Sequence, residues 1–141
     1  MYDFMDDEPN EFAGARILYI EDNSDNRMLV RRILMVEDFV VIEAVDGKSG
    51  IELAKREHPD LILMDMNLPE IDGYELTRRV REQIPELAAV PIIAMTANVM
   101  HGDREKTLEA GCDGYIPKPI DVDALPEQVK KFLKEARARK K

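Results

Sequence analysis

The chain has a single cysteine, Cys112, in 141 residues. No disulfide can therefore close within it, and a fold of this length must rest on a buried core. Basic residues are in deficit: 20 Lys and Arg stand against 29 Asp and Glu, for a formal net charge of −9. Nucleic-acid affinity comes chiefly from basic side chains that neutralise phosphates, so this balance argues against direct DNA binding. No apolar run approaches the roughly 18 residues of a membrane span, and no insertion is expected. A secretory signal needs positive charge near its start, whereas Met1 to Glu11 carries Asp3, Asp6, Asp7, Glu8 and Glu11; a cytoplasmic location is expected. No repeat of solenoid period is present. The length suits one domain, with an acidic flexible leader over 1–14, a folded unit over 15–135 and a basic frayed tail over 136–141.

What the sequence does contain is a regular alternation of short β-rich runs and helix-period segments. RILYI, 16–20, reads as a strand, and 24–37 places Met28, Leu29, Ile33, Leu34 and Val36 at helical spacing behind Asn23 or Ser24 as N-cap. Val40 to Val45 read as a second strand. Asp46-Gly47 opens a helix carrying Ile51, Leu53 and Ala54, which His58-Pro59 closes. Leu61 to Met64 form a third strand, and a third helix runs from about Gly73 to Gln83 with Leu76 and Val80 inward. Pro91 starts a fourth strand, IIAMT, where a missing N–H is tolerable. A fourth helix over 98–110 has only Val99, Met100, Leu108 and Ala110 as clear apolar positions, which predicts a loosely held element. Gly111 suits a left-handed helix end, and Tyr115-Ile116 a short fifth strand. A fifth helix follows, with Asp123 as N-cap, Pro126 in its first turn, and Leu125, Val129 and Phe132 or Leu133 inward.

Five strands alternating with five helices predict an α/β fold, a flavodoxin-like doubly wound parallel sheet in the order 2-1-3-4-5. In such sheets ligands bind beyond the carboxyl ends of the strands at the switch point, between strands one and three. Those ends are polar: Glu21-Asp22 after strand one, Asp65 after strand three, Thr96-Ala97-Asn98 after strand four and Lys118-Pro119 after strand five. Neighbouring strands lie about 4.8 Å apart, so Asp22 and Asp65 should converge. Two unpaired charges there would repel by roughly 3–4 kcal/mol at an effective dielectric near 20. Mg²⁺, which takes one or two carboxylates plus phosphate oxygens and keeps several waters, would offset this, and Lys118 supplies a second positive charge. A carboxylate beside a metal, a lysine and a hydroxyl can attack phosphorus and hold the resulting acyl phosphate. Asp65 is then the nucleophile, Asp22 a direct metal ligand, Glu21 an orienter of the metal's waters, and Thr96 and Lys118 contacts to phosphoryl oxygens.

The set Glu21-Asp22-Asn23, Asp65-Met66-Asn67-Leu68-Pro69 with Asp72-Gly73, Met95-Thr96-Ala97 and Tyr115-Ile116-Pro117-Lys118-Pro119 resembles the receiver domain of two-component response regulators, of the stand-alone CheY-like type. The resemblance covers about 15–135. It implies that Asp65 accepts a phosphoryl group from a histidine kinase or phosphotransferase, with Mg²⁺ on Asp22, Asp65 and the main-chain carbonyl of Asn67. It implies that Thr96 and Tyr115 form a switch pair, that Asn67 and Asn98 tune the phosphate lifetime, and that Lys118-Pro119 matches a cis bond. Such a protein is a signalling receiver that catalyses only its own phosphorylation and slow dephosphorylation. Because the chain ends just after the fifth helix, the expected output is binding. A downstream target protein would meet the face made by the fourth helix, fifth strand and fifth helix, and a phosphorylation-linked dimer is left open.

Taken singly, Glu21-Asp22 reads as a polar turn, Lys118 as a solvated lysine and Tyr115 as a sheet aromatic. Their joint occurrence at strand ends favours the site. His58 and His101 lack partners at metal-ligand spacing and read as surface residues, Cys112 as a packing residue and the methionines mostly as core filler. Gly47-Lys48-Ser49 is no phosphate loop, because the required earlier Gly falls at Ile42. A phosphatase of the haloacid dehalogenase type needs its nucleophile after the first strand and a second Asp two residues on, where this chain has Asn67. A flavin module needs Ser, Thr and Gly after strand one rather than Glu21-Asp22.

Overall fold

LILMD, β3 (Leu61–Asp65), is buried on both faces, as the centre of a parallel sheet requires. The computed structural model describes residues 10–97 and 103–139. β1 (Arg16–Ile20), β2 (Val40–Ala44), β4 (Ile92–Thr96) and β5 (Gly114–Pro117) join β3 in one parallel sheet of order β2-β1-β3-β4-β5. Ala44, Ile20, Met64, Ala94 and Tyr115 form one register row across it. The fold expected from the residue pattern is therefore the fold observed.

Strand residues alternate between two cores. Leu18, Ile20, Ile62 and Met64 face α2 (Gly47–Glu57) and α3 (Gly73–Gln83), burying Ala54, Leu76 and Val80. Ile17, Tyr19, Leu61 and Leu63 face α1 (Ser24–Val36) and α5 (Leu125–Arg139), burying Val30, Leu34, Val129 and Leu133. Helix starts are chemically explicit. Asn23 accepts from the Asn26 N–H, Asp46 and Ser49 form a reciprocal capping box, and Asp72 accepts from the Glu75 N–H. α4 (Asp103–Ala110) precedes Gly111, whose φ of +109° reverses the chain into β5. Among the described residues no helix is long and apolar enough to cross a membrane.

Several boundaries and faces differ from expectation. On α1 the sheet selects Val30 and Leu34, which are fully buried, while Met28 and Val36 are 42% and 79% exposed. The apolar residues of this helix lie on opposite sides, so spacing alone could not choose between them. Met35 is exposed too, so the methionines are not uniformly core. On α4, Thr107 and Ala110 turn inward and Leu108 outward. Positions 98–102, including Asn98, Val99, Met100 and His101, lie outside the described residues. α5 starts at Leu125, two residues beyond Asp123, and it is Asp121 Oδ1 that accepts from the N–H groups of Asp123 and Ala124 in the turn before the helix. His58 closes α2 from a left-handed conformation, φ 49°.

The two expected tails are partly folded. α5 continues to Arg139 with Ala136 buried, so frayed structure does not begin at 136. At the other end, Phe12 is buried beneath the Arg137 guanidinium, 4.3 Å from the ring centre, and Glu11 pairs with Lys134 and Arg137. Asn10 donates to the Glu37 carbonyl at 2.7 Å. The amphipathic period of α5 carries it one turn past the expected end, and that extra turn supplies the shelf for Phe12.

Candidate functional site

β1 and β3 end side by side, and Glu21 and Asp22 just after β1 meet Asp65, the last residue of β3, in one place. One carboxylate oxygen from each of Glu21, Asp22 and Asp65 lies within 4.8 Å of the other two. Glu21 and Asp65 are buried, at 1% and 2% exposure, whereas Asp22 is exposed to solvent. From the end of β5, Lys118 reaches across: its Nζ donates to Asp65 Oδ1 at 3.0 Å and to Glu21 Oε1 at 3.3 Å. The Lys118 N–H donates to the Thr96 carbonyl, and the Lys118-Pro119 bond is cis. Thr96 is buried at the end of β4, and Tyr115 is half-buried on β5. The structure thus brings Glu21, Asp22, Asp65 and Lys118 into one cluster, with Thr96 joined to it through the Lys118 backbone. Asn67 is exposed beyond β3, and its N–H donates to Asp65 Oδ1 at 3.0 Å.

Three acids and one ammonium leave a net negative charge at the site. Burial pushes the Glu21 carboxyl up, and the hydrogen bond and charge of Asp65 push it further, against the pull of Lys118. For Lys118, burial alone would lower the ammonium, but the Asp65 and Glu21 carboxylates outweigh it and raise it. A hard divalent cation with oxygen ligands fits this donor set, since it would neutralise the excess charge without needing a full protein cage.

Further contacts complete the surroundings, two of them from Tyr19 and Asn26, residues not singled out from the sequence. Tyr19 Oη donates to Glu21 Oε1 at 3.1 Å, and Asn26 Nδ2 donates to the same oxygen at 3.2 Å. The Asn23 N–H reaches Glu21 Oε2 at 3.3 Å. Burial pushes the Tyr19 phenol far up, with the Glu21 charge adding to the effect, so it stays a neutral donor. A signal for Tyr19 was present: it is the one residue of RILYI with a side-chain hydroxyl, two positions before Glu21. Gly73, at the start of α3, permits the close approach of that helix. A β-carbon there would stand 2.7 Å from Met66 Cα.

Comparison with known proteins agrees with this geometry. The family described as the response regulator receiver domain matches residues 17–130. The polar-differentiation response regulator DivK of Brucella ovis is 39% identical over 120 residues, spanning 85% of this chain and 97% of that protein. Among solved structures, the receiver domain of the sensor histidine kinase PA1611 from Pseudomonas aeruginosa has a magnesium ion coordinated in its active-site cleft. It is 38% identical, with a TM-score of 0.77 over 86% of this chain and 99% of that one. The receiver domain of Ssk1, solved with the histidine phosphotransfer protein Ypd1 of Saccharomyces cerevisiae, is 26% identical, with a TM-score of 0.78 over 85% of this chain and 89% of that one.

Proposed function

The chain belongs to the response regulator receiver domain family, and from that premise we propose that Asp65 is the residue through which it takes part in a two-component phosphorelay. The role is signalling, not metabolic turnover. The observation that carries the assignment is the Lys118 ammonium bridging Asp65 and Glu21 at 3.0 and 3.3 Å, in a cluster completed by Asp22.

In this reading an Asp65 oxygen attacks the phosphorus of a phosphohistidine on a histidine kinase or phosphotransferase. The new O–P bond forms as the P–N bond breaks, and the electron pair leaves on the imidazole nitrogen. Lys118 and the Thr96 hydroxyl contact the phosphoryl oxygens and offset the charge that builds there. Asp22, Asp65 and the Asn67 carbonyl would hold Mg²⁺, which when bound there would neutralise the acids and the incoming phosphoryl oxygens. Glu21 acts through water, in keeping with oxygens already engaged by Tyr19, Asn26, Lys118 and Asn23. The chain catalyses its own phosphorylation and slow dephosphorylation. Asn67 and Asn98 set how long the phosphate lasts, Asn98 lying outside the described residues.

Thr96 and Tyr115 form the switch, and the readout is the α4-β5-α5 face. That face carries a cavity of about 480 Å³ lined by Leu108, Tyr115 and Phe132, with Lys131 and Glu135 also lining it. A downstream protein, or a second copy after phosphorylation, would dock there in the cytoplasm. Phosphorylation shifts a balance between two arrangements of the face.

The test is incubation with acetyl phosphate, with and without Mg²⁺, followed by intact mass. Wild type should gain one acid-labile phosphoryl group only with Mg²⁺, and Asp65→Asn should gain none. Retention of the gain in Asp65→Asn would sink the assignment.

A further inference from the structure

The Glu21 carboxylate is gripped by several donors, but Asp22 is exposed, and its placement depends on the backbone of the turn between β1 and α1. Arg27, in the first turn of α1, holds that backbone. Its Nη1 donates to the Glu21 carbonyl at 2.7 Å and to the Asp22 carbonyl at 3.0 Å. The guanidinium is itself oriented from the sheet edge: Nε lies 3.6 Å from Glu43 Oε1, and Arg31 takes the other Glu43 oxygen at 2.7 Å. Glu43 stands opposite Tyr19 in the β1–β2 register, beside the strand that leads to the acids. A chain of contacts thus runs from β2 through Arg27 to the two residues that present the carboxylates.

We propose that Arg27, aimed by Glu43, is a positioning residue that sets the divalent-cation affinity of the Glu21-Asp22-Asp65 cluster by fixing the Glu21-Asp22 backbone. This rests on the phosphoacceptor reading above and adds residues that touch neither cation nor phosphate. Groups that orient metal ligands from outside typically change metal affinity by about 10–100-fold when removed. Charge and positioning predict opposite signs here. The Arg27 guanidinium is a positive charge close to a cation site, so deleting it purely as a charge would tighten Mg²⁺ binding. If its work is to hold the two carbonyls, deleting it loosens Mg²⁺ binding instead.

The experiment is Mg²⁺ titration by calorimetry of the full chain as wild type, Arg27→Gln, Glu43→Gln and Glu43→Asp, with thermal unfolding in chelator recorded for each. Acetyl phosphate kinetics are measured at limiting and saturating Mg²⁺. Arg27→Gln should weaken Mg²⁺ by about tenfold, and Glu43→Gln should weaken it by a smaller factor in the same direction. Phosphorylation should slow at limiting Mg²⁺ and recover at saturation, a pattern that lowered stability alone does not produce. Should Arg27→Gln fail to fold, Glu43→Asp decides, because it keeps both charges and only withdraws the carboxylate from the guanidinium: weaker Mg²⁺ binding supports the inference, and unchanged binding overturns it. Unchanged or tighter Mg²⁺ binding in the folded variants overturns the inference while the phosphoacceptor reading stands. A wild type that binds no Mg²⁺ overturns both.

Discussion

A β-carbon added to Gly73 would stand 2.9 Å from the carbonyl oxygen of Asp65. The start of α3 and the end of β3 are thus packed backbone to backbone beneath the acidic cluster. Alanine would favour the helix by about 1 kcal/mol, but here it must displace main chain, and overpacking costs about 1–3 kcal/mol. Gly73→Ala should therefore lower stability in chemical denaturation and slow acetyl phosphate labelling. An unchanged midpoint would show that the turn after Asp65 yields easily.

Asp65 and Lys118 should have opposite effects on stability in chelator. Asp65→Asn removes one of three mutually repelling carboxylates and should raise the unfolding free energy by about 1 kcal/mol or more, given two close repulsions against one attraction. Lys118→Met leaves Glu21 and Asp65 buried without their ammonium and should lower stability by about 3 kcal/mol. Added Mg²⁺ should recover part of the Lys118→Met loss. Thermal melts with and without Mg²⁺ check both signs.

Cys112 offers a pH test far from the acids. Burial pushes its thiol up from 9.0 to about 11, with the Thr77 hydroxyl 3.6 Å away opposing in part. The folded state therefore holds this proton more tightly than the unfolded state does. Its contribution is full below about pH 9 and is lost as pH rises through about 11. Cys112→Ala should flatten the decline of wild-type stability across that window. The native thiol should also resist maleimide at pH 8, and rapid labelling under native conditions would contradict its burial.

Phe12 ties the segment before β1 to the end of α5. Phe12→Ala removes a buried ring and its contact with Arg137, and should cost about 3 kcal/mol. Because the ring lies away from the acids, Mg²⁺ affinity should not change. Denaturation and calorimetry on the same variant separate the two effects.

Much of this was legible in the chain. LILMD reads as a central strand because a parallel strand buried on both faces has no polar positions to spare, and its first polar residue then marks the strand's end. Alternation and handedness lead to a doubly wound parallel sheet, and the observed order β2-β1-β3-β4-β5 is the one that places Asp22 beside Asp65. Less visible were the partners that cross between elements. α1 bears apolar residues on two sides, and only the sheet selects Val30 and Leu34 over Met28 and Val36. The acidic segment before β1 reads as solvated because its charges say so, yet Phe12 finds a shelf that exists only once α5 runs past Ala136.

The sequence by itself determined the five strands and helices, their parallel pairing and the identity of the residues at the strand ends, because period and capping are local properties of the chain and alternation forces parallel crossovers. The tertiary structure decided the contacts that depend on distance between elements: Lys118 spanning 53 residues to Asp65 and 97 to Glu21, Tyr19 and Asn26 sharing one Glu21 oxygen, and Arg27 closing on two carbonyls under the aim of Glu43. A hydrogen bond exists only within about 3.5 Å. Which donors come that close is fixed when the helices settle on the sheet, a step that no single segment encodes.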